Sequence, residues 1–153
     1  MRLTLKSAMS VAEHLAKDHG TRDPYRLARA LGVAIRYSNL GDGYLGYSNT
    51  IHRIPIIVLN ENNTDDQNHA VSCHELGHCV IHPHENTNFF TRVAPLMTRG
   101  IEAEANAFMA ELVFGGVEIN PMDYSTILDR FGLPQWIAEY IDEVQRDHLW
   151  TEK

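Results

Sequence analysis

Residues 74–78 read His74-Glu75-Leu76-Gly77-His78, an H-E-x-x-H pattern. Two histidines four apart lie one turn apart on the same face of an α-helix. Imidazoles so placed can grip one zinc ion, and the glutamate between them can act as a base on a zinc-bound water. The flanks suit a helix. Thr64, Asp65 and Asp66 supply N-cap chemistry, residues 67–82 contain no proline, and Pro83 follows the pattern. The spacing predicts a helix over 65–82. Five residues alone also fit an ordinary surface helix with scattered histidines, so the reading depends on the rest of the chain.

A catalytic zinc takes three protein ligands and keeps one position open for water. The next predicted helix, 99–114, is rich in Ala and Glu, stops at Gly115-Gly116, and offers Glu102, Glu104 and Glu111. Glu102 and Asn106 are four apart and share a face, whereas Glu104 is turned from Glu102 by about 200°. Glu102 is the expected third ligand. Asn106 is its expected outer partner, able to hold a ligand histidine by accepting the free N–H. Glu104 and Glu111 read as a solvated charged face. Ala103, Ala105, Ala107 and Ala110 would let this helix approach the histidine helix closely. His82 can be read as a fourth ligand, but a closed site would leave no place for water. Its expected setting is the helix C-terminus, where the dipole favours it.

Upstream, Ser7–His19 reads as a helix with Ala8, Val11, Ala12, Leu15 and Ala16 on one face, ended by Gly20. Asp23 caps a second helix with Pro24 at its first position and Gly32 at its close. Within 33–59, Val33–Tyr37, Tyr44–Tyr47 and Ile54–Leu59 read as strands, with a turn at Gly41-Asp42-Gly43. Residues 83–98 have no clear period and read as a long functional loop. Two more helices are expected over 121–150. Helices, then strands, then helices predict a single α+β domain over 1–153, with a small, three-stranded, mainly antiparallel sheet packed against several helices.

The motif set H-E-L-G-H-x-x-x-H (His74, Glu75, Leu76, Gly77, His78, His82) is followed about twenty residues later by E-x-E-A-N-x-F-x-x-E-L (Glu102, Glu104, Ala105, Asn106, Phe108, Glu111, Leu112). Together they resemble the ImmA/IrrE family of zinc metallopeptidases. Asp23-Pro24-Tyr25, Ala28 and Leu31-Gly32 are similar to the family upstream, so the likeness covers about residues 20–115. It implies a zincin-like core, His74, His78 and Glu102 as zinc ligands, and Glu75 as the catalytic residue. It also implies a protein substrate of the kind the family's better-known members cut, helix-turn-helix repressors of phages, mobile elements or stress responses. The length suggests a stand-alone protease without its own helix-turn-helix domain. The family's usual Leu-Leu-Met-Pro ending is replaced here by Leu112-Val113-Phe114-Gly115-Gly116.

The whole chain bears on partners. A net charge of −7 over 153 residues opposes direct binding to nucleic acid, which needs a basic face. Cys73 and Cys79, about 9 Å apart along one helix, cannot form a disulfide within it. They read as small buried residues in a reducing compartment, and a cytoplasmic location is expected. Neither a signal peptide nor a membrane span is expected. The expected metal is zinc, although another divalent ion can occupy such a donor set.

The expected chemistry is metal-assisted peptide hydrolysis with Glu75 as proton shuttle. Tyr44, Tyr47, His52, His84 and Tyr124 are candidate oxyanion donors. The substrate would lie along a free sheet edge at residues 43–47. Met97, Met109 and Met122 read as core filler. Two rivals differ in class. One is a metal-stabilised module that binds a transcriptional regulator without cutting it. The other is a DNA-binding regulator with 7–31 as a helix-turn-helix.

Overall fold

A computed structural model of the chain describes residues 3–83, 90, 91 and 100–148. Among the described residues, six α-helices accompany one four-stranded sheet, giving an α+β fold. Helix α1 (Leu3–His19) leads to α2 (Pro24–Leu31), then come strands β1 (Ala34–Ser38), β2 (Tyr44–Ile51) and β3 (Ile54–Asn60). Helix α3 (Asp65–Ile81) follows, then β4 (Phe90–Thr91), α4 (Gly100–Phe114), α5 (Tyr124–Phe131) and α6 (Ala138–His148). Single 3-10 turns at Pro121–Asp123 and Gln135–Ile137 lead into α5 and α6.

The sheet order is β1-β3-β2-β4, with β1 parallel to β3 and the other two pairings antiparallel. Strand β2 runs four residues beyond the expected Tyr47. Its second half, Ser48-Asn49-Thr50, lacks the apolar alternation that marks a strand in sequence, yet it pairs with Ile57, Ile56 and Pro55 of β3. The β2–β3 turn is His52-Arg53, and both residues have positive φ, 51° and 68°. Positive φ at both central residues marks a turn whose twist matches a hairpin. Strand β4 lies in the stretch expected to be loop. It pairs Thr91 with Tyr44 and Phe90 with Gly46. The expected free edge at 43–47 is therefore partly covered by β4.

Helix α4 is central. Its residues 105–112 are all buried, and it packs against α1, α3 and α6. A helix apolar on most of its circumference belongs inside. The alanines serve two neighbours, α1 as well as the histidine helix. On α1 the buried stripe is Leu5, Ala8, Met9, Ala12 and Ala16, whereas Val11, expected inside, is 39% exposed. This face of the helix is thus committed to the core. Met109 is core, as expected, but Met122 is 87% exposed, and Met97 lies outside the described residues. Asn120 caps the turn beneath Met122, accepting from its backbone N–H at 2.9 Å, so local backbone chemistry places that residue rather than burial.

Two close approaches fix α3 and α4. A Cβ on Gly77 of α3 would stand 3.1 Å from the Phe108 ring of α4. At the end of α4, a Cβ on Gly115 would fall 2.1 Å from Glu111 Oε2 and 2.4 Å from Glu111 O. Here Arg22 Nη1 donates to both of those oxygens, and His148 Nε2 meets Oε2 at 2.7 Å. Gly115-Gly116 thus makes room for the Arg22 guanidinium. Glu111, expected on a solvated face, is buried. Burial pushes its pKa up, against the opposing pull of His148 and Arg22. Gly115→Ala is expected to cost roughly 1–3 kcal/mol from overpacking alone. A urea midpoint unchanged from wild type would show that this corner yields freely.

Candidate metal centre

Helix α3 starts where its cap dictates. Thr64 Oγ1 accepts from the Gln67 backbone N–H at 3.1 Å, and Gln67 Oε1 accepts from the Thr64 N–H at 2.9 Å, a closed capping box. Asp65 and Asp66 sit in its first turn, where the dipole favours them. This fixes the phase of the helix and hence the direction of His74 and His78. Thr64→Ala is expected to lower unfolding stability by about 1 kcal/mol, read as a shift in the thermal midpoint. No shift would mean that packing alone sets the helix start.

Residues 67, 68 and 70–78 of α3 are all buried. Sequence periodicity expects one wet face, but β2, β3, α2, α4 and α5 all pack against this helix. His74, Glu75 and His78 are at most 1% exposed. The two imidazoles meet edge to face, with ring centroids 5.0 Å apart.

Glu102, in the first turn of α4, faces both rings. His74 Nε2 is 3.0 Å from Oε1, and His78 Nε2 is 3.1 Å from Oε2. Donor atoms of His74, His78 and Glu102 lie within 4.8 Å of one another. Burial opposes ionisation of Glu102, but its contacts with His74 and His78 outweigh burial and hold the carboxyl well below the usual carboxylate range. His78 Nε2 is buried and has no hydrogen-bond partner among the described residues, despite its closeness to Oε2. Two imidazoles and a carboxylate whose donor atoms converge this closely fit a divalent cation such as zinc.

The remaining expected residues fall as follows. Asn106 is fully buried on α4. His82 is the C-cap of α3, with φ −123° and ψ 56°, and its backbone N–H bonds to His78 O at 2.8 Å. Its ring faces His78, Nδ1 to Nδ1 at 3.0 Å, and its Nε2 is 2.7 Å from Glu104 Oε1. Glu104, expected to be solvated, is thus engaged. The angular argument from Glu102 fails for it because His82 leaves the helical path and comes to meet it. The spacing of His82 from His78 carried the signal, but the dipole reading absorbed it.

Cys73 and Cys79 are free thiols. Burial, with the Glu75 charge adding to it, pushes Cys79 up to about 12, and burial drives Cys73 up as well. Neither joins a group of converging metal donors among the described residues. The other such group, Glu13, Glu111 and His148, is occupied by ion pairs with Arg22 and Lys17.

A cavity of about 270 Å³ opens between residues 48–50 of β2 and the His78–Pro83 end of α3, with Arg53 and Pro55 at its side. Tyr44, Tyr47, His52 and Tyr124 are not among its walls. Tyr124 instead donates to Asp142 at 3.2 Å. His84 lies outside the described residues. Among the described residues, no helix is long and apolar enough to cross a membrane.

Comparison with known proteins identifies the family. The Peptidase_M78 family, described as an IrrE N-terminal-like domain, matches residues 28–140. The chain is 32% identical over 104 residues to "Uncharacterized immunity region protein 2" of Bacillus phage phi105, a match over 68% of this chain and 66% of the phage protein. It is 25% identical over 146 residues to "Metallopeptidase ImmA" of Bacillus subtilis (strain 168), a match over 90% of this chain and 85% of that protein. The chain thus spans about two thirds of the phage relative.

Proposed function

The chain belongs to the Peptidase_M78 family with its IrrE N-terminal-like domain, and on that premise we propose that it is a zinc-dependent endopeptidase that cleaves a regulatory protein. The observation that carries the reading is the convergence of His74, His78 and Glu102 beside a fully buried Glu75. A zinc ion held by those three residues would acidify a water and polarise the scissile carbonyl. Glu75 takes the water's proton and passes it to the leaving amine, the two-way transfer that one carboxylate can perform. Asn106, buried on α4, helps hold the ligand face.

The substrate reading is finer and rests on the relatives' names. One relative is an immunity-region protein of a phage and another is called a metallopeptidase. A helix-turn-helix repressor of a phage or mobile element is the protein class that fits both. An extended peptide would lie in the cavity beside His78, along residues 48–50 of β2.

The test is incubation of the zinc-loaded protein with repressors encoded beside its gene, with fragments read by mass spectrometry. One repressor is expected to be cut at a defined bond, with cleavage abolished by chelator and restored by zinc. A repressor that binds tightly and stays intact would replace the protease with a binding module.

A further inference from the structure

The proposed zinc ligands leave a chain of contacts behind His78 unexplained. His78 Nδ1 lies 3.0 Å from His82 Nδ1, and His82 Nε2 lies 2.7 Å from Glu104 Oε1. The protons along this chain can be placed from its outer end. An ionised carboxylate only accepts, so His82 Nε2 carries a proton and donates it to Glu104. With His82 neutral, its one N–H is spent on Nε2 and Nδ1 is an acceptor. His78 Nδ1 must then be the donor of the first contact. The only nitrogen lone pair left on His78 is on Nε2, the atom 3.1 Å from Glu102 Oε2.

We propose that His82 and Glu104 form a relay that holds His78 in the one tautomer and orientation able to bind zinc. Both are positioning residues, acting on the metal through His78. The proposal rests on the zinc reading above and deepens it. Three features support it. Both ring nitrogens of His82 are engaged, so His82 is not a fourth ligand. Its side chain is only 7% exposed, so water competes poorly for those contacts. Its backbone is tied to His78 as well, through the 2.8 Å bond from His82 N to His78 O. Outer partners that accept the second N–H of a ligand histidine orient the ring and raise its basicity. Here the carboxylate acts through an interposed imidazole.

The test measures zinc affinity by competition with a chromophoric chelator, alongside the visible bands of the cobalt-substituted protein. Glu104→Ala and His82→Phe are each expected to weaken zinc binding roughly 10–100-fold. His82→Gln is expected to recover most of that loss, because its amide oxygen can accept from His78 Nδ1. Adding Glu104→Ala to His82→Phe is expected to change little, since the contacts act in series. The cobalt bands of His82→Gln are expected to match wild type, as no ligand has been removed. Wild-type zinc affinity in Glu104→Ala overturns the relay, and so do cobalt bands in His82→Gln that report a lost ligand. Glu104 is partly exposed, so its substitution does not depend on repacking a closed core. A wild-type chain that binds no zinc would defeat the endopeptidase reading itself. Zinc binding that ignores Glu104 and His82 would defeat the relay alone.

Discussion

Glu75→Gln is expected to lower kcat for peptide cleavage roughly 10²–10⁴-fold, the usual contribution of one positioned acid–base group. Zinc content is expected to stay at the wild-type level, because Glu75 is not one of the three converging donors. Glutamine has the same shape and fits the same enclosed space, but it cannot accept the proton from water or return it to the leaving amine. KM is expected to change little, since the interaction removed is one made in the transition state. Stability supplies a second readout. Glu75 is fully buried, and burying a charged carboxylate costs the fold more than burying a neutral amide. The variant is therefore expected to be at least as stable as wild type while losing activity, the pattern of a residue kept for function. Cleavage at the wild-type rate by Glu75→Gln would remove this residue from the chemistry.

Glu102→Ala is expected to abolish the stabilisation that zinc confers. A ligand that binds only the folded state adds about 2.7 kcal/mol at a hundredfold excess over Kd. For a chain of this size that raises the thermal midpoint by roughly 5–10 °C. With Glu102 gone, His74 and His78 remain, but two neutral imidazoles on one helix hold a divalent cation without charge compensation or a third donor. The loss in affinity is expected to exceed the roughly 10–100-fold of an outer partner. Zinc is then expected to leave the midpoint of Glu102→Ala near its metal-free value. A full thermal shift in Glu102→Ala would mean that another residue is the third ligand, with Glu104 the first to examine.

The parts of the molecule that were legible in sequence are those set by local rules. The capping box at Thr64 and Gln67, the Pro24 start and Gly32 end of α2, and the face shared by His74 and His78 all follow from neighbours a few residues apart. The approach of Glu102 to the two histidines was legible because a catalytic metal would demand a third donor and its helix had the small residues for close approach. What escaped depended on contacts distant in sequence. Strand β4 exists because β2 offers it an edge, and residues 83–98 carry no alternation to announce it. Ser48-Asn49-Thr50 belong to a strand because β3 pairs with them. Glu104 and Glu111 looked alike as surface charges on an Ala-rich helix. One meets a histidine that has left its own helix, and the other is enclosed by Arg22 and His148, contributed by residues 89 and 37 positions away.

The central claim is that His74, His78 and Glu102 hold a zinc ion beside Glu75. It is tested most directly by crystallising the zinc-loaded chain and collecting anomalous diffraction on both sides of the zinc absorption edge. One zinc peak is expected, bounded by His74 Nε2, His78 Nε2 and the Glu102 carboxylate, that disappears below the edge. A peak centred between His82 and Glu104, or none at His74 and His78 in a crystal grown with excess zinc, would contradict it.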